Sequence, residues 1–202
     1  MERKQFEKLK QVILNHDIIA IPTETVFGLA IAYDDEVAFQ KLVEVKMRAP
    51  DKPFTLMLGD VNDIEKYAYI NDVAKCLIDN FLPGEITLLL RVKEGLPWHV
   101  TLGTNKIGIR VSGDDTLRKF IHYVGKPLLV PSANKKDMPP ALTEGQVRTY
   151  FSEEEVKLIA HGKVQSTMPT TIVDASEKNI KIIRLGSVKE TEIEEVLRKN
   201  GL

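Results

Sequence analysis

Ile18-Ile19-Ala20-Ile21-Pro22-Thr23-Glu24-Thr25-Val26-Phe27-Gly28-Leu29-Ala30 is the stretch from which the fold of this chain is read. It begins as an apolar, β-branched run, the pattern of a buried strand. Pro22 lacks a backbone N–H and ends the ladder there. Three polar side chains come next, Thr23, Glu24 and Thr25, before the sequence turns apolar again at Phe27-Gly28-Leu29-Ala30. A core strand that ends in hydroxyls and a carboxylate puts polar groups at a sheet edge, where α/β proteins bind ligands. The plainer alternative is a strand and turn in which Thr23 caps the next few backbone N–H groups.

At 202 residues the chain can bury a large core. Its 43% apolar and 28% charged residues are those of a soluble globular protein, and no apolar run reaches the roughly 20 residues that span a bilayer. Residues 1–5 are charged with no apolar stretch behind them, unlike a signal peptide. Cys76 is the single cysteine, so there is neither an internal disulfide nor a cysteine-rich metal site. The expectation is a cytoplasmic protein. A net charge of −1 argues against bulk, sequence-independent nucleic-acid binding, though not against a local basic groove.

Helical spacing of Phe6, Leu9, Val12 and Ile13 predicts an amphipathic helix over 2–15. Asp34-Asp35-Glu36 starts a second, which runs to Lys46-Met47-Arg48 before Ala49-Pro50 breaks it. Strands are expected at 54–58, 86–92, 107–111, 127–131, 170–174 and 181–184, and helices at 60–69, 71–81, 114–124, 143–151 and 190–199. Residues 97–99 fall in a loop. Interspersed helices and strands make the fold α/β (α+β) with a mixed sheet.

Several segments carry candidate chemistry. Lys46, Arg48 and Lys52 are cations at a helix end, which suits the dipole, but together they could also neutralise a polyphosphate. Ser132 and Asn134 come after a buried strand with short donors and acceptors suited to a ribose or phosphate, or make an ordinary turn. Arg110 interrupts an apolar strand; if it points inward it needs an anionic partner. Thr170 comes after Met168-Pro169, with Arg184 and Gly186 downstream. The chain has no P-loop or GxGxxG, its four histidines lack metal-ligand spacing, and no GxSxG elbow surrounds Ser132. Cys76, amid apolar residues, reads as core.

Together these segments resemble the YrdC-like family, the threonylcarbamoyl-AMP synthases. Residues 22–29 resemble the family's PT(D/E)TVYGL signature, Lys46-Met47-Arg48 its KxR with Lys52-Pro53 beyond it, and Pro83-Gly84-Glu85-Ile86-Thr87 its PGxxT. Ile109-Arg110-Val111 resembles its VRxP strand, Ser132-Ala133-Asn134 its SxN, Thr170-Thr171-Ile172-Val173-Asp174 its STIVD, and Arg184-Leu185-Gly186 its RxG. Seven motifs in family order make the match specific.

The resemblance implies one twisted mixed sheet flanked by helices with a large concave basic groove, a single domain over 1–202, and no additional C-terminal domain. It implies an ATP-dependent synthase that joins L-threonine, bicarbonate or CO2, and AMP. A downstream threonylcarbamoyl transferase complex then modifies adenosine next to the anticodon of tRNA. It implies Lys46 and Arg48 as catalytic residues, and Arg48, Lys52, Lys106, Ser132, Asn134 and Arg184 as ATP-binding. Thr25, Arg110 and Thr170 are implied for threonine. Mg2+ comes with the nucleotide, with no metal ligand from the protein. The chain departs from the family at Phe27 for Tyr, Met57 for a polar residue, Ser112 for Pro, Lys135-Lys136-Asp137 for Leu-Ser-Gly and Thr170 for Ser. The alternatives are an RNA-binding module on the basic face, extended by Lys135, Lys136 and Arg118, and a paralogue forming a carbamoyl-adenylate from another cosubstrate. The charges and prolines of 135–142 suggest a lid.

Overall fold

The deciding stretch folds as a β-hairpin in the computed structural model, which describes residues 3–47 and 53–202. Strand β1 (Ile19–Pro22) pairs antiparallel with β2 (Phe27–Ala32), Ile19 facing Ala30 and Pro22 facing Phe27. The second arm was not expected as a strand. All six of its residues are buried, so it shows no polar alternation. Its side chains still alternate between two cores: Phe27, Leu29 and Ile31 enter one, Ala30 and Ala32 the other.

The remaining elements, in chain order, are α1 (Arg3–Leu14), α2 (Glu36–Lys46), β3 (Leu56–Leu58), α3 (Ile64–Tyr67), β4 (Ala68–Tyr69), α4 (Asp72–Phe81), β5 (Ile86–Val92), α5 (Trp98–Thr101) and β6 (Lys106–Val111). Then come α6 (Asp115–Val124), β7 (Leu128–Leu129), α7 (Glu144–Tyr150), β8 (Leu158–Ile159), β9 (Thr171–Asp174), β10 (Lys181–Arg184) and α8 (Glu190–Lys199). Side-chain caps set several helix starts: Asp35, Asn71, Asp114 and Thr143 each accept from a backbone N–H three residues on.

The strands form one mixed sheet in the order β10-β9-β5-β6-β3-β7-β2-β1-β8, with β4 also on β5. The β5·β9, β3·β6 and β1·β8 pairs are parallel and the others antiparallel. Helices α1 and α6 cover one face through Leu9, Ile13, Leu117 and Phe120; α2, α4 and α8 cover the other through Leu42, Leu77 and Ile193. Cys76 is buried in the second core, as expected.

Two expectations are corrected. The helix over 60–69 is cut short, because Ala68 and Tyr69 pair with the end of β5 and satisfy backbone groups there. The strand over 127–131 shrinks to two residues, since prolines at 127 and 131 remove a donor at each end. Strand β8, unforeseen in the sequence, adds a parallel partner outside β1. The break at 49–52 lies outside the described residues.

Candidate active site

Where the polar hairpin turn meets the ends of β6, β9 and β10, a cleft of about 790 Å³ opens. Thr25, Lys46, Lys106, Arg110, Ser132, Asn134, Thr170 and Arg184, chosen from the sequence, all line it. Arg48 and Lys52 lie outside the described residues.

The floor is built on Glu24 and Arg110. Arg110 does point inward, and its nearest anion is from the protein: Nη2 lies 2.8 Å from Glu24 Oε1. The same nitrogen donates to Thr25 Oγ1 at 3.2 Å. Glu24 also accepts from the Ser112 hydroxyl and, at 2.8 Å, from Gly113 N. Burial pushes the Glu24 carboxyl up, but the Arg110 charge and the hydrogen bonds outweigh it and hold the pKa below the usual value. Arg110 is 6% exposed, and its Nε has no hydrogen-bond partner. A buried, unsatisfied guanidinium nitrogen in a cleft wall invites an oxygen from a ligand.

Thr23 shapes the turn above this floor. Its Oγ1 accepts from Thr25 N and Val26 N and donates to Val26 O at 2.7 Å. The capping alternative is therefore correct for Thr23, while its neighbours Glu24 and Thr25 build the site.

Across the cleft, the end of α2 meets the Ser132–Asn134 turn. Lys46 Nζ donates to Ser132 O at 2.6 Å, Asn134 O at 2.7 Å and Asn134 Oδ1 at 2.9 Å. Ser132 Oγ donates to the same Oδ1, and Asn134 Nδ2 donates to the carbonyls of Lys135 and Met138. The lysine thus shapes the turn. Segment 135–142 is pinned at both ends, by those bonds and by Ala141, which donates to Ala133 O and accepts from Phe27 N. Lys135 pairs with Glu155 at 2.9 Å, so these bonds tie down the segment read as a lid.

The third wall is Thr170 with Arg184. Arg184 donates from Nε and Nη2 to Thr170 O at 3.2 and 2.8 Å, and Thr170 Oγ1 lies 3.1 Å from Thr87 Oγ1. Gly186 makes this crossing possible, since a Cβ there would stand 2.0 Å from Pro169 O and 2.5 Å from Thr170 C. Those are backbone atoms that cannot swing aside. Gly186→Ala is expected to displace Thr170 and destabilise the protein by about 1–3 kcal/mol, measured by urea unfolding. Unchanged stability would show that the strand end tolerates the shift. Lys106, at the mouth, is paired with Asp174 at 2.7 Å.

The family model of Sua5/YciO/YrdC proteins, described as Telomere recombination, matches residues 11–186. The chain belongs to the Sua5/YciO/YrdC family. A Methanocaldococcus jannaschii protein is 34% identical to it over 186 residues, 92% of this chain and 87% of that one. The threonylcarbamoyl-AMP synthase of Idiomarina loihiensis is 31% identical over 160 residues, 78% of this chain and 86% of its own. The crystal structure of Pyrococcus abyssi Sua5 complexed with L-threonine superposes with a TM-score of 0.91 at 28% identity over 98% of this chain. The chain spans 58% of the length of that protein.

In this member of the Sua5/YciO/YrdC family, sequence reasoning missed the partner of Arg110. Glu24 was visible as a carboxylate between two threonines just beyond an apolar strand, but nothing there points to Arg110. Thr87 sits within a recognisable motif, but nothing in the sequence gave it a role. Ser112, one of the departures from the family, is the hydroxyl that fixes Glu24. Phe27 and Met57, two others, reach the cleft wall with side chains almost wholly buried.

Proposed function

We propose that this protein is a threonylcarbamoyl-AMP synthase acting in tRNA modification. The amine of L-threonine takes up CO2, or bicarbonate with loss of water, to give a carbamate. A carbamate oxygen attacks the α-phosphorus of ATP; the P–O bond to the β-phosphate breaks, and pyrophosphate leaves with its electron pair. What supports this reading is Arg110 in the cleft wall: its Nη2 donates to the Thr25 hydroxyl and its Nε has no hydrogen-bond partner, a planar donor suited to the carboxylate of an amino acid.

The opposite wall takes the nucleotide. Lys46 holds the Ser132–Asn134 turn in shape, and Arg48 and Lys52, a few residues on, supply charge to the triphosphate. Positioned cations are the main lever for such transfers, because charge builds on the departing phosphates. Mg2+ would come with ATP and supply charge neutralisation for the phosphates; Glu24, behind the cleft lining, already has Arg110, Ser112 and Gly113 on its oxygens. The product passes to a downstream transferase that acts on tRNA.

Incubation of purified protein with ATP, Mg2+ and bicarbonate, with and without L-threonine, tests the reading by mass spectrometry. Threonine-dependent pyrophosphate together with a threonylcarbamoyl-AMP mass is the expected result. Pyrophosphate that depends on carbamoyl phosphate instead would replace threonine by another cosubstrate.

A further inference from the structure

Ser112 stands between the end of β6 and the first turn of α6, and it is wholly buried. It is also one of the positions at which this chain departs from the family pattern. Its hydroxyl oxygen accepts from Asp114 N at 3.1 Å, and its carbonyl accepts from Arg118 Nη1 at 2.6 Å. The helix start therefore fixes the hydroxyl, whose single proton goes to Glu24 Oε2.

Glu24 passes that anchorage on. Ser112 holds Oε2, while Gly113 N and Arg110 Nη2, each at 2.8 Å, hold Oε1. With both oxygens held, the carboxylate cannot turn about its Cγ–Cδ bond. The backbone is held as well, since Gln165 N and Ser166 N donate to Glu24 O at 3.2 and 2.9 Å. Arg110 is in turn tied through Nη2 to Glu24 and to Thr25. Fixing one corner of a planar group fixes its plane. Among the described residues, Arg110 lines the cleft, and neither Glu24 nor Ser112 does.

We infer that Ser112 is a positioning residue: through Glu24 it holds the Arg110 guanidinium in the orientation that receives the carboxylate of the amino-acid substrate. This rests on the proposed synthase reaction. An arginine side chain has several rotatable bonds, and ordering it when a ligand arrives lowers affinity. Here the ordering is done on folding, so the fork is set before threonine enters. Without the Ser112 hydroxyl, Oε2 is left buried with no donor. The carboxylate is then free to turn, and Oε1 no longer stays on Nη2.

The test compares wild type, Ser112→Ala and Ser112→Thr by calorimetric titration. Ser112→Ala is expected to bind L-threonine about tenfold more weakly, the scale of one hydrogen bond to a charged group, with ATP affinity within about twofold of wild type. Ser112→Thr keeps the hydroxyl and should recover much of the loss. A purely structural role would lower the melting temperature of Ser112→Ala and leave its threonine affinity unchanged, and that result overturns the inference. An equal fall in threonine and ATP affinity also overturns it, because the whole cleft would then have loosened. A second readout needs no ligand. In proton–nitrogen NMR spectra the Arg110 Nη signals of wild type should be split by hindered rotation of the guanidinium, and those of Ser112→Ala averaged. Splitting that persists in Ser112→Ala overturns the inference. Wild type that neither binds threonine nor makes threonine-dependent pyrophosphate, while Ser112→Ala still loses the splitting, would sink the synthase reading and leave the anchoring of Arg110 standing.

Discussion

Lys46→Ala is expected to lower threonine-dependent adenylate formation by at least about a hundredfold, the scale on which one preorganised electrostatic donor acts. The reason is geometric. A lysine that is 5% exposed and that donates to two carbonyls and one side-chain oxygen cannot be lost without consequence for the turn it holds. Each bond from a charged donor contributes about 1.5–3 kcal/mol, and the stranded acceptors are buried or half-buried. The melting temperature therefore falls as well, by about 2–4 °C per kcal/mol in a chain of this size. Lys46→Arg keeps the charge but not the compact three-donor head, so it should stay folded with activity well below wild type. Full activity in a destabilised Lys46→Ala would confine the residue to shaping the turn. Unchanged activity and stability would remove it from both roles.

Arg110→Met is expected to cause a large loss of stability with a distinctive pH dependence. It leaves Glu24 buried without its counter-charge, which costs about 3–5 kcal/mol at neutral pH. In wild type the folded pKa of Glu24 lies below its reference value of 4.5. Its ionised form therefore adds stability above that value, and this is lost as pH falls through the lowered pKa. Without Arg110, burial raises the carboxyl instead. The folded state then binds the proton more tightly than the unfolded chain, so stability falls as pH rises. Urea unfolding at pH 5 and pH 8 should show the variant closer to wild type at the lower pH. Arg110→Met combined with Glu24→Gln should regain much of the loss at pH 8, since no buried charge remains. Neither variant should bind L-threonine measurably. An equal loss at both pH values would show that Glu24 does not govern the site.

Parts of this architecture were legible without coordinates. Helical spacing marked α1, α4, α6 and α8, and the apolar runs marked β5 and β6 within a residue or so. Short elements were not legible. The two residues of β8 come after an acidic run with too little pattern to register, and β4 exists because β5 has unpaired backbone groups beside it. Gly186 belongs to a recognisable motif, but its reason is a Cβ position 2.0 Å from the Pro169 carbonyl, which only the crossing of two segments reveals.

The sequence by itself determined the local chemistry: which stretches are apolar, where donors are missing at Pro22, Pro127 and Pro131, and which hydroxyls and cations lie just beyond buried strands. Those depend on neighbours along the chain. Only the tertiary structure decided how the polar residues pair, because their partners come from distant segments. Arg110 meets Thr25 across 85 residues, Lys46 meets Asn134 across 88, and Thr87 meets Thr170 across 83. A buried charge takes whichever counter-charge the packed sheet brings within about 3 Å, and for Arg110 that was Glu24.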